Sequence, residues 1–298
     1  LHGIGTGDLL DAIVERIPNA PPLPDDEEDD PTIRVAIIGR PNVGKSSLFN
    51  ALLGQERVIV SDIPGTTRDS IDTLVTREGT PYLFIDTAGI RRRGRIEPGV
   101  EKHSVLRALR AVARADVALL VLDAVEGVID NDLHIAGNVQ EEAKGLIVVV
   151  NKWDLVEKDS KTADKFTKLI KERMKFMDFV PVVYISALTH QRVHRLFEEI
   201  KAVELQRSRR IPTSQLNTLV EEIQRGHVPS QHGKTLRIYY ATQPSVRPPT
   251  FVFFVNDASI AHFSYVRHLE NEIRRAFGFR GASIRINLRG KPGREDRA

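Results

Sequence analysis

The chain has 298 residues, 41% of them hydrophobic, no cysteine and a net charge of +3. Without cysteine, disulfides and thiolate metal sites are excluded. Apolar runs such as LIVVV (146–150) are far too short to cross a bilayer, and no signal-peptide pattern is visible, so a cytoplasmic protein with no membrane partner is expected. Charge is distributed unevenly: residues 1–30 carry one basic and nine acidic side chains, residues 205–298 sixteen basic and seven acidic. A basic terminal block is the electrostatic footprint of a polyanion partner, usually nucleic acid.

The first residues, LHGIGTGDLLDAIVERIP, pass from a glycine-rich turn into an amphipathic stretch with Leu9, Leu10, Ile13, Val14 and Ile17 on one helical face. APPLP and DDEEDD (25–30) then read as an extended, self-repelling linker. TIRVAIIG (32–39) predicts a buried strand, KSSLFNALLG (45–54) a helix with a glycine stop, and YLFIDTAG (82–89) a strand leading into the basic loop IRRRGR. Next come a helix (HSVLRALRAVARA), a strand (DVALLVLDA), a helix (LHIAGNVQEEAK), a strand (GLIVVVNKWD), a helix (DKFTKLIKERMKFM), a strand (PVVYISAL) and a helix (RVHRLFEEIKAVELQRS). Apolar strands alternating with amphipathic helices predict an α/β domain whose mainly parallel sheet is covered on both faces, with ligands at the carboxyl ends of its strands.

Beyond about residue 206 the rhythm changes. TSQLNTLVEEIQRG predicts a helix that Thr213 or Ser214 can cap, TLRIYYATQ and TFVFFVND two strands, HFSYVRHLENEIRRAFG a helix and SIRINLRG a strand. That order, α-β-β-α-β, is a small α+β domain with a frayed tail, KPGREDRA. The expected divisions are 1–30, 31–205 and 206–298.

GRPNVGKS (39–46) fits G-x-x-x-x-G-K-[ST] between a strand and a helix, the context of a phosphate-binding loop. Backbone N–H groups there cradle anions, Lys45 reaches the β- and γ-phosphates, and the Ser46 hydroxyl can ligate Mg²⁺. DTAG (86–89) ends a later strand, where Asp86 can hold Mg²⁺ through water and Gly89 can approach the γ-phosphate. NKWD (151–154) identifies the base, since the Asp154 carboxylate can accept from both N1–H and the 2-amino group of guanine but faces the N1 lone pair of adenine. SAL (186–188) then offers the Ala187 N–H to guanine O6. PGTTRD (64–69) supplies a threonine that closes on Mg²⁺ when the γ-phosphate is present; Thr67 is preferred, with Thr66 the alternative.

These motifs resemble the translational-factor-related GTPases. GRPNVGKSSLFNALLG, PGTTRD and DTAGIRRRGRIEPGVEKHSVLRALRA together are similar to the second G domain of the bacterial Der (EngA) family. The resemblance implies a P-loop GTPase domain followed by a KH-like domain, GTP and GDP as ligands, and assistance to large (50S) ribosomal subunit assembly through that particle and its rRNA. It implies nucleotide contacts from Gly39, Arg40, Pro41, Asn42, Val43, Gly44, Lys45, Ser46 and Ser47. Further contacts would come from Asp86, Thr87, Ala88, Gly89 and Ile90, from Asn151, Lys152, Trp153 and Asp154, and from Ser186, Ala187 and Leu188. Ile90 stands where Ras-like enzymes carry a water-orienting glutamine, and in the relatives the residue at Asn42 helps hold K⁺. Slow hydrolysis stimulated by K⁺ over Na⁺ is therefore expected, with Lys45, Thr67 and Asn42 as the catalytic set; a nucleotide-sensing module with negligible hydrolysis is the alternative. Arg68 and Arg91–Arg95 can supply positive charge, or simply be a solvated loop. Family members carry a preceding G domain, and LHGIGTGDLLDAI (1–13) aligns without a gap on LTHQRVHRLFEEI (188–200), so the first residues are expected to be the remnant of that missing domain's last helix. The rest of the chain is expected to be a monomer.

Two patterns are decoys. HQRVH (190–194) has the spacing of H-E-x-x-H with Gln191 in place of the base, and an amide cannot act as one. GFRG (278–281) mimics the GXXG clamp of KH modules but joins a helix to a strand, so a helix C-cap at Gly278 is the better expectation. RNA contact then falls to arginines such as Arg237, Arg247, Arg285 and Arg289. Tyr239, Tyr240, Phe251, Phe253 and Phe254 can stack on bases, although core packing is the default for most of them.

Overall fold

The computed structural model describes residues 30–64, 71–91, 100–226, 228–231 and 234–290. The expected N-terminal helix and most of its linker, Thr66, Thr67, Arg68, the basic stretch from Arg92 to Arg95 and the last eight residues lie outside the described residues.

The first sheet has seven strands: β1 (Ile33–Ile38), β2 (Val58–Pro64), β3 (Ile71–Arg77), β4 (Thr80–Phe84), β5 (Val117–Asp123), β6 (Gly145–Asn151) and β7 (Val182–Tyr184). Their order is β2-β3-β4-β1-β5-β6-β7. β4, β1, β5, β6 and β7 run parallel, whereas β2–β3 and β3–β4 are antiparallel. The β2–β3 pair was not predicted. β2 lies at the sheet edge with Ile59 and Val60 exposed, so its apolar residues do not mark a buried face.

The helices of this domain are α1 (Lys45–Leu53), the short α2 (Thr87–Arg91), α3 (Val100–Arg114), α4 (Asp130–Glu141), α5 (Thr162–Arg173) and α6 (Arg195–Arg207). Every residue of β5 and β6 is buried, and strand alternation sorts them into two cores. Val117, Leu119, Val121, Ile147 and Val149 pack with Leu48 and Phe49 of α1 and with Leu196, Phe197 and Ile200 of α6. Ala118, Leu120, Leu122, Leu146, Val148 and Val150 pack with Val112 of α3, Ile135 and Val139 of α4 and Ile170 of α5. Helices on both faces leave the strand ends as the open surfaces.

The second domain contains α7 (Thr213–Arg225), a short pair β8 (Ser230–Gln231) and β9 (Lys234–Thr235), then β10 (Ile238–Val246), β11 (Pro249–Val255), α8 (Phe263–Phe277) and β12 (Arg285–Gly290). β10 and β11 pair antiparallel, and β11 and β12 parallel. Apart from the small β8–β9 pair, this is the predicted α-β-β-α-β order. Both helices cover one face, where Leu216, Leu219, Val220, Tyr265, Leu269 and Ile273 meet Phe251, Phe253 and Val255. Neither Thr213 nor Ser214 caps α7: Pro212 holds the N-cap position and no side-chain cap forms.

GFRG is a helix cap and also an interdomain latch. Gly278 ends α8 in a positive-φ conformation, and its N–H donates to the Arg274 carbonyl. The Gly281 N–H donates to the Phe179 carbonyl (3.0 Å), and its own carbonyl accepts from the Leu146 N–H (2.8 Å) at the start of β6. A side chain at Gly281, φ +74°, would lie 2.5 Å from a Val203 methyl and 3.0 Å from Pro181. Arg274 stacks 3.4 Å above the Phe179 ring, and Arg280 forms a two-pronged pair with Glu199. Gly281→Val is expected to cost roughly 2–4 kcal/mol through strain and overpacking. Calorimetry is expected to show one unfolding transition for the unmodified chain and two for the variant, as the domains uncouple. One unshifted transition would show that the latch does not couple them.

Candidate functional site

β1 ends at Ile38, and the chain turns at Gly39, φ +137°, where a Cβ would lie 2.5 Å from the Val121 carbonyl oxygen. The loop closes at Gly44, φ +98°, the N-cap of α1. Here a Cβ would fall 2.2 Å from Asn151 Nδ2, so only glycine fits. No side chain caps α1 and no acidic residue occupies its first turn, which holds Ser46 and Ser47. Its first N–H groups are thus available to an anion.

Lys45 Nζ donates to the Gly39 carbonyl (2.8 Å) and the Arg40 carbonyl (2.6 Å), folding back over its own loop. Burial draws the ammonium down to about 8. Only the charged form grips phosphate, and the diphosphate is already fully ionised near pH 8, so the lysine sets the slope above about that pH. Above it, affinity is expected to fall by up to about tenfold per pH unit. Guanosine shares the base's own titration and lacks phosphate. Titration calorimetry with both ligands isolates the lysine, and equal pH slopes would overturn its role.

The other loop side chains divide their work. Arg40 points away from the loop, pairing with Glu126 (2.6 Å) and with the buried Asp132 (3.0 Å). Pro41 and Asn42 are exposed, Asn42 in the left-handed region, while Val43 is buried in the α1 core.

After β4 the chain reaches Asp86, whose N–H donates to Asp72 Oδ1 (2.9 Å). Burial raises the Asp86 carboxyl, and Arg107 at 3.9 Å opposes that. Asp72 is itself buried and paired with Arg114. The Thr87 hydroxyl donates to the Ile71 carbonyl (2.7 Å) and lies 2.8 Å from that of Thr73, so it serves β3. Ala88 is half-buried, Gly89 lies within α2, and Ile90 is buried in the hydrophobic core shared with α1. This ties DTAG to the strand that follows residues 65–70. Ser46 and Asp86 offer hard oxygen donors of the kind Mg²⁺ takes, and the Asp86 ion pair with Arg107 is long, at 3.9 Å.

NKWD lies at the end of β6. Asn151 is buried and bridges two loops: Nδ2 donates to the Val43 carbonyl (2.9 Å), and Oδ1 accepts from the Ala187 N–H (2.9 Å). Lys152, φ +60°, places Nζ 2.6 Å from Asp123 Oδ2. Burial would raise Asp123, but Lys152 and the Val125 N–H outweigh it and hold the carboxyl below its usual range. Trp153 points into the core, its ring centroid 4.3 Å from Tyr184 and 5.2 Å from Phe166. Asp154 differs from all of these: its Oδ1 is buried and has no hydrogen-bond partner among the described residues. Buried carboxylate oxygens are rarely left unpaired, which marks this one as waiting for an outside donor.

In the last loop, Ser186 Oγ accepts from the Thr189 N–H (3.1 Å) and Leu188 is exposed. The Ala187 N–H, the donor expected for guanine O6, donates here to Asn151 Oδ1. In HQRVH both histidines are exposed. Among the described residues no group of three or more His, Asp or Glu can hold a metal ion. No helix among them is long and apolar enough to cross a membrane.

Comparison with known proteins gives the chain its place. The family described as "50S ribosome-binding GTPase" matches residues 34–152, and "KH-domain-like of EngA bacterial GTPase enzymes, C-terminal" matches residues 210–289. GTPase Der of Heliobacterium modesticaldum is 53% identical over 297 residues, 99% of this chain and 66% of its own. GTPase Der of Symbiobacterium thermophilum is 55% identical over 289 residues, 97% of this chain and 61% of its own. The chain belongs to the Der (EngA) family. It spans 61% and 66% of the length of these two Der relatives. Its sheet is that of a P-loop GTPase, and a KH-like domain follows. A structure of Era in complex with MgGDPNP and nucleotides 1506-1542 of 16S ribosomal RNA aligns with 86% of this chain and 92% of its own, at 22% identity and a TM-score of 0.44.

In this Der-family chain, sequence motifs did not single out Asp72, Asp123 and Asp132. Each acts on a motif residue from a distant strand or helix, holding Asp86, Lys152 and Arg40 respectively. The available signal was their position: apolar segments that end or break on an aspartate.

Proposed function

We propose that this chain binds and hydrolyses GTP, and that its nucleotide state controls docking of the basic carboxy-terminal domain on the large ribosomal subunit and its rRNA. The unpaired, buried Asp154 Oδ1 carries the guanine reading. Guanine brings two N–H groups to such a carboxylate, and adenine brings a lone pair. Because the Ala187 N–H serves Asn151, the adjacent Leu188 N–H becomes the donor to guanine O6; no described group accepts from it.

On nucleotide binding, Lys45 exchanges the Gly39 and Arg40 carbonyls for phosphate oxygens. Ser46, Asp86 and, from the switch segment, Thr67 would hold Mg²⁺, which neutralises charge on the β- and γ-phosphates. The buried Ile90 cannot orient water by hydrogen bonding, so the attacking water needs another source of positive charge. The exposed Asn42 beside the loop is the candidate ligand for K⁺. Residues 31–205 form the switch and 206–298 the RNA-facing domain of a cytoplasmic monomer, which in its relatives would work beside a preceding G domain.

Single-turnover hydrolysis is expected to be slow and several-fold faster in K⁺ than in Na⁺; equal rates would overturn the K⁺ role. Co-sedimentation with large ribosomal subunits in GTP, in GDP and without nucleotide tests the switch, and pelleting that ignores the nucleotide would sink it. The burial of Ile90 also favours a second reading, a nucleotide-sensing module with negligible hydrolysis. That reading predicts nucleotide-dependent pelleting without turnover in either salt.

A further inference from the structure

Four of the five aromatic residues of β10 and β11 fall into two groups; the fifth, Tyr239, sits at a register shift in β10. Phe251 and Phe253 are fully buried under α7 and α8. Tyr240 and Phe254 are 44% and 36% exposed, and they face each other across the β10–β11 pair with ring centroids 6.0 Å apart. Strand alternation places them on the face that the helices leave open. Register extends that row into β12, where Arg289 stands opposite Phe254. Along β12, Arg285, Asn287 and Arg289 alternate onto this same face, and all three are exposed. Neither arginine has an ion-pair partner among the described residues. β10, β11 and β12 contain no aspartate or glutamate.

We propose that this open face binds single-stranded RNA, with bases stacking on Tyr240 and Phe254, Asn287 reaching base edges, and Arg285 and Arg289 holding phosphates. The inference rests on the reading of this chain as an rRNA-binding protein and names the surface that does it. Two adjacent rings on a water-facing strand leave much of their surface open to solvent, and a sequence-tolerant stacking partner gives them a role. The charge fixes the partner's class, because a purely apolar protein surface would leave the arginines unpaired. A duplex fails on the other side: its bases are stacked inside and give the rings nothing to meet. The loop that a KH module would use for clamping is also committed elsewhere. Phe279 is fully buried, and Gly281 is hydrogen-bonded to Phe179 and Leu146 of the GTPase domain.

The test uses the full chain and a fluorescein-labelled oligouridylate of about ten nucleotides, read by anisotropy, beside an RNA duplex of equal length. Tyr240→Ala and Phe254→Ala are each expected to weaken the single strand roughly 5- to 150-fold and to leave duplex binding unchanged. Tyr240→Phe keeps the ring and is expected to stay within about twofold. Arg289→Gln is expected to reduce the salt slope by about 0.7. Tyr240→Thr, a good strand former, repeats the experiment should the alanine variant unfold.

Unchanged single-strand affinity in the ring variants would overturn the proposal. So would equal losses on both RNAs, or a dimer that Tyr240→Ala converts to monomer in sedimentation velocity, which would make a second copy the occupant. Co-sedimentation of the same variants with large ribosomal subunits separates the two readings. Subunit binding by the unmodified chain with no loss of oligouridylate in the variants would sink this surface alone. Oligouridylate binding lost in the variants, with no subunit binding by any form, would sink the ribosomal reading alone.

Discussion

Asp154→Asn is expected to weaken GDP and GTP by roughly 10²- to 10⁴-fold and to make the xanthine nucleotide the preferred ligand. Two hydrogen bonds to a charged acceptor contribute about 1.5–3 kcal/mol each, which sets that range. The substituted amide keeps one acceptor for N1–H but turns a donor toward the 2-amino group, where two donors collide. Xanthine carries a carbonyl at that position and accepts from the same donor. Asp154 Oδ1 has no hydrogen-bond partner among the described residues, so the substitution breaks no hydrogen bond of that atom there. Apparent melting without nucleotide is therefore expected to stay unchanged, while the increment from saturating GDP shrinks with the lost affinity. Unchanged GDP affinity would refute the assignment of the base.

Residues that meet a ligand through local geometry were legible in the sequence; residues whose role depends on a distant strand were not. The phosphate loop fits its pattern because two backbone positions admit only glycine, one against Val121 and one against Asn151. Those constraints appear as fixed spacing. Arg40, Thr87 and Trp153 lie inside the same motifs, yet their side chains turn to Asp132, to β3 and to the core. A motif states where its backbone runs, and the neighbours decide which side chains serve the ligand. The parallel strands were legible because burial on both faces leaves continuous apolar runs. The β2–β3 pair was hidden because an edge strand mixes exposed Ile59 and Val60 with polar residues. GFRG resembled an RNA clamp because glycine spacing records backbone freedom without saying what approaches; here it is the neighbouring domain.

Asn151→Ala is expected to disable the site and the fold around it together. Its amide donates to the Val43 carbonyl and accepts from the Ala187 N–H, joining the phosphate loop to the loop beside the base. Val43 and Ala187 are both buried, so alanine strands two backbone groups without water. At about 1–3 kcal/mol for each unsatisfied group, the loss is roughly 2–6 kcal/mol of stability. Urea unfolding measures it, and GDP affinity is expected to fall by at least about 100-fold because both loops lose their register.

Asn151→Asp gives the sharper control. It keeps the acceptor for Ala187 but sets a carboxylate oxygen against the Val43 carbonyl, so near neutral pH it is expected to be at least as damaging as alanine. Burial and that repulsion raise the introduced carboxyl's pKa above the unfolded value, so the folded state binds the proton more tightly. Its protonated form can donate to Val43 as the amide did, and the stability deficit should therefore shrink as pH falls through the raised pKa. An Asn151→Asp deficit that stays constant, relative to the unmodified chain, from about pH 7 to about pH 5 would show that the bridge does not hold the two loops.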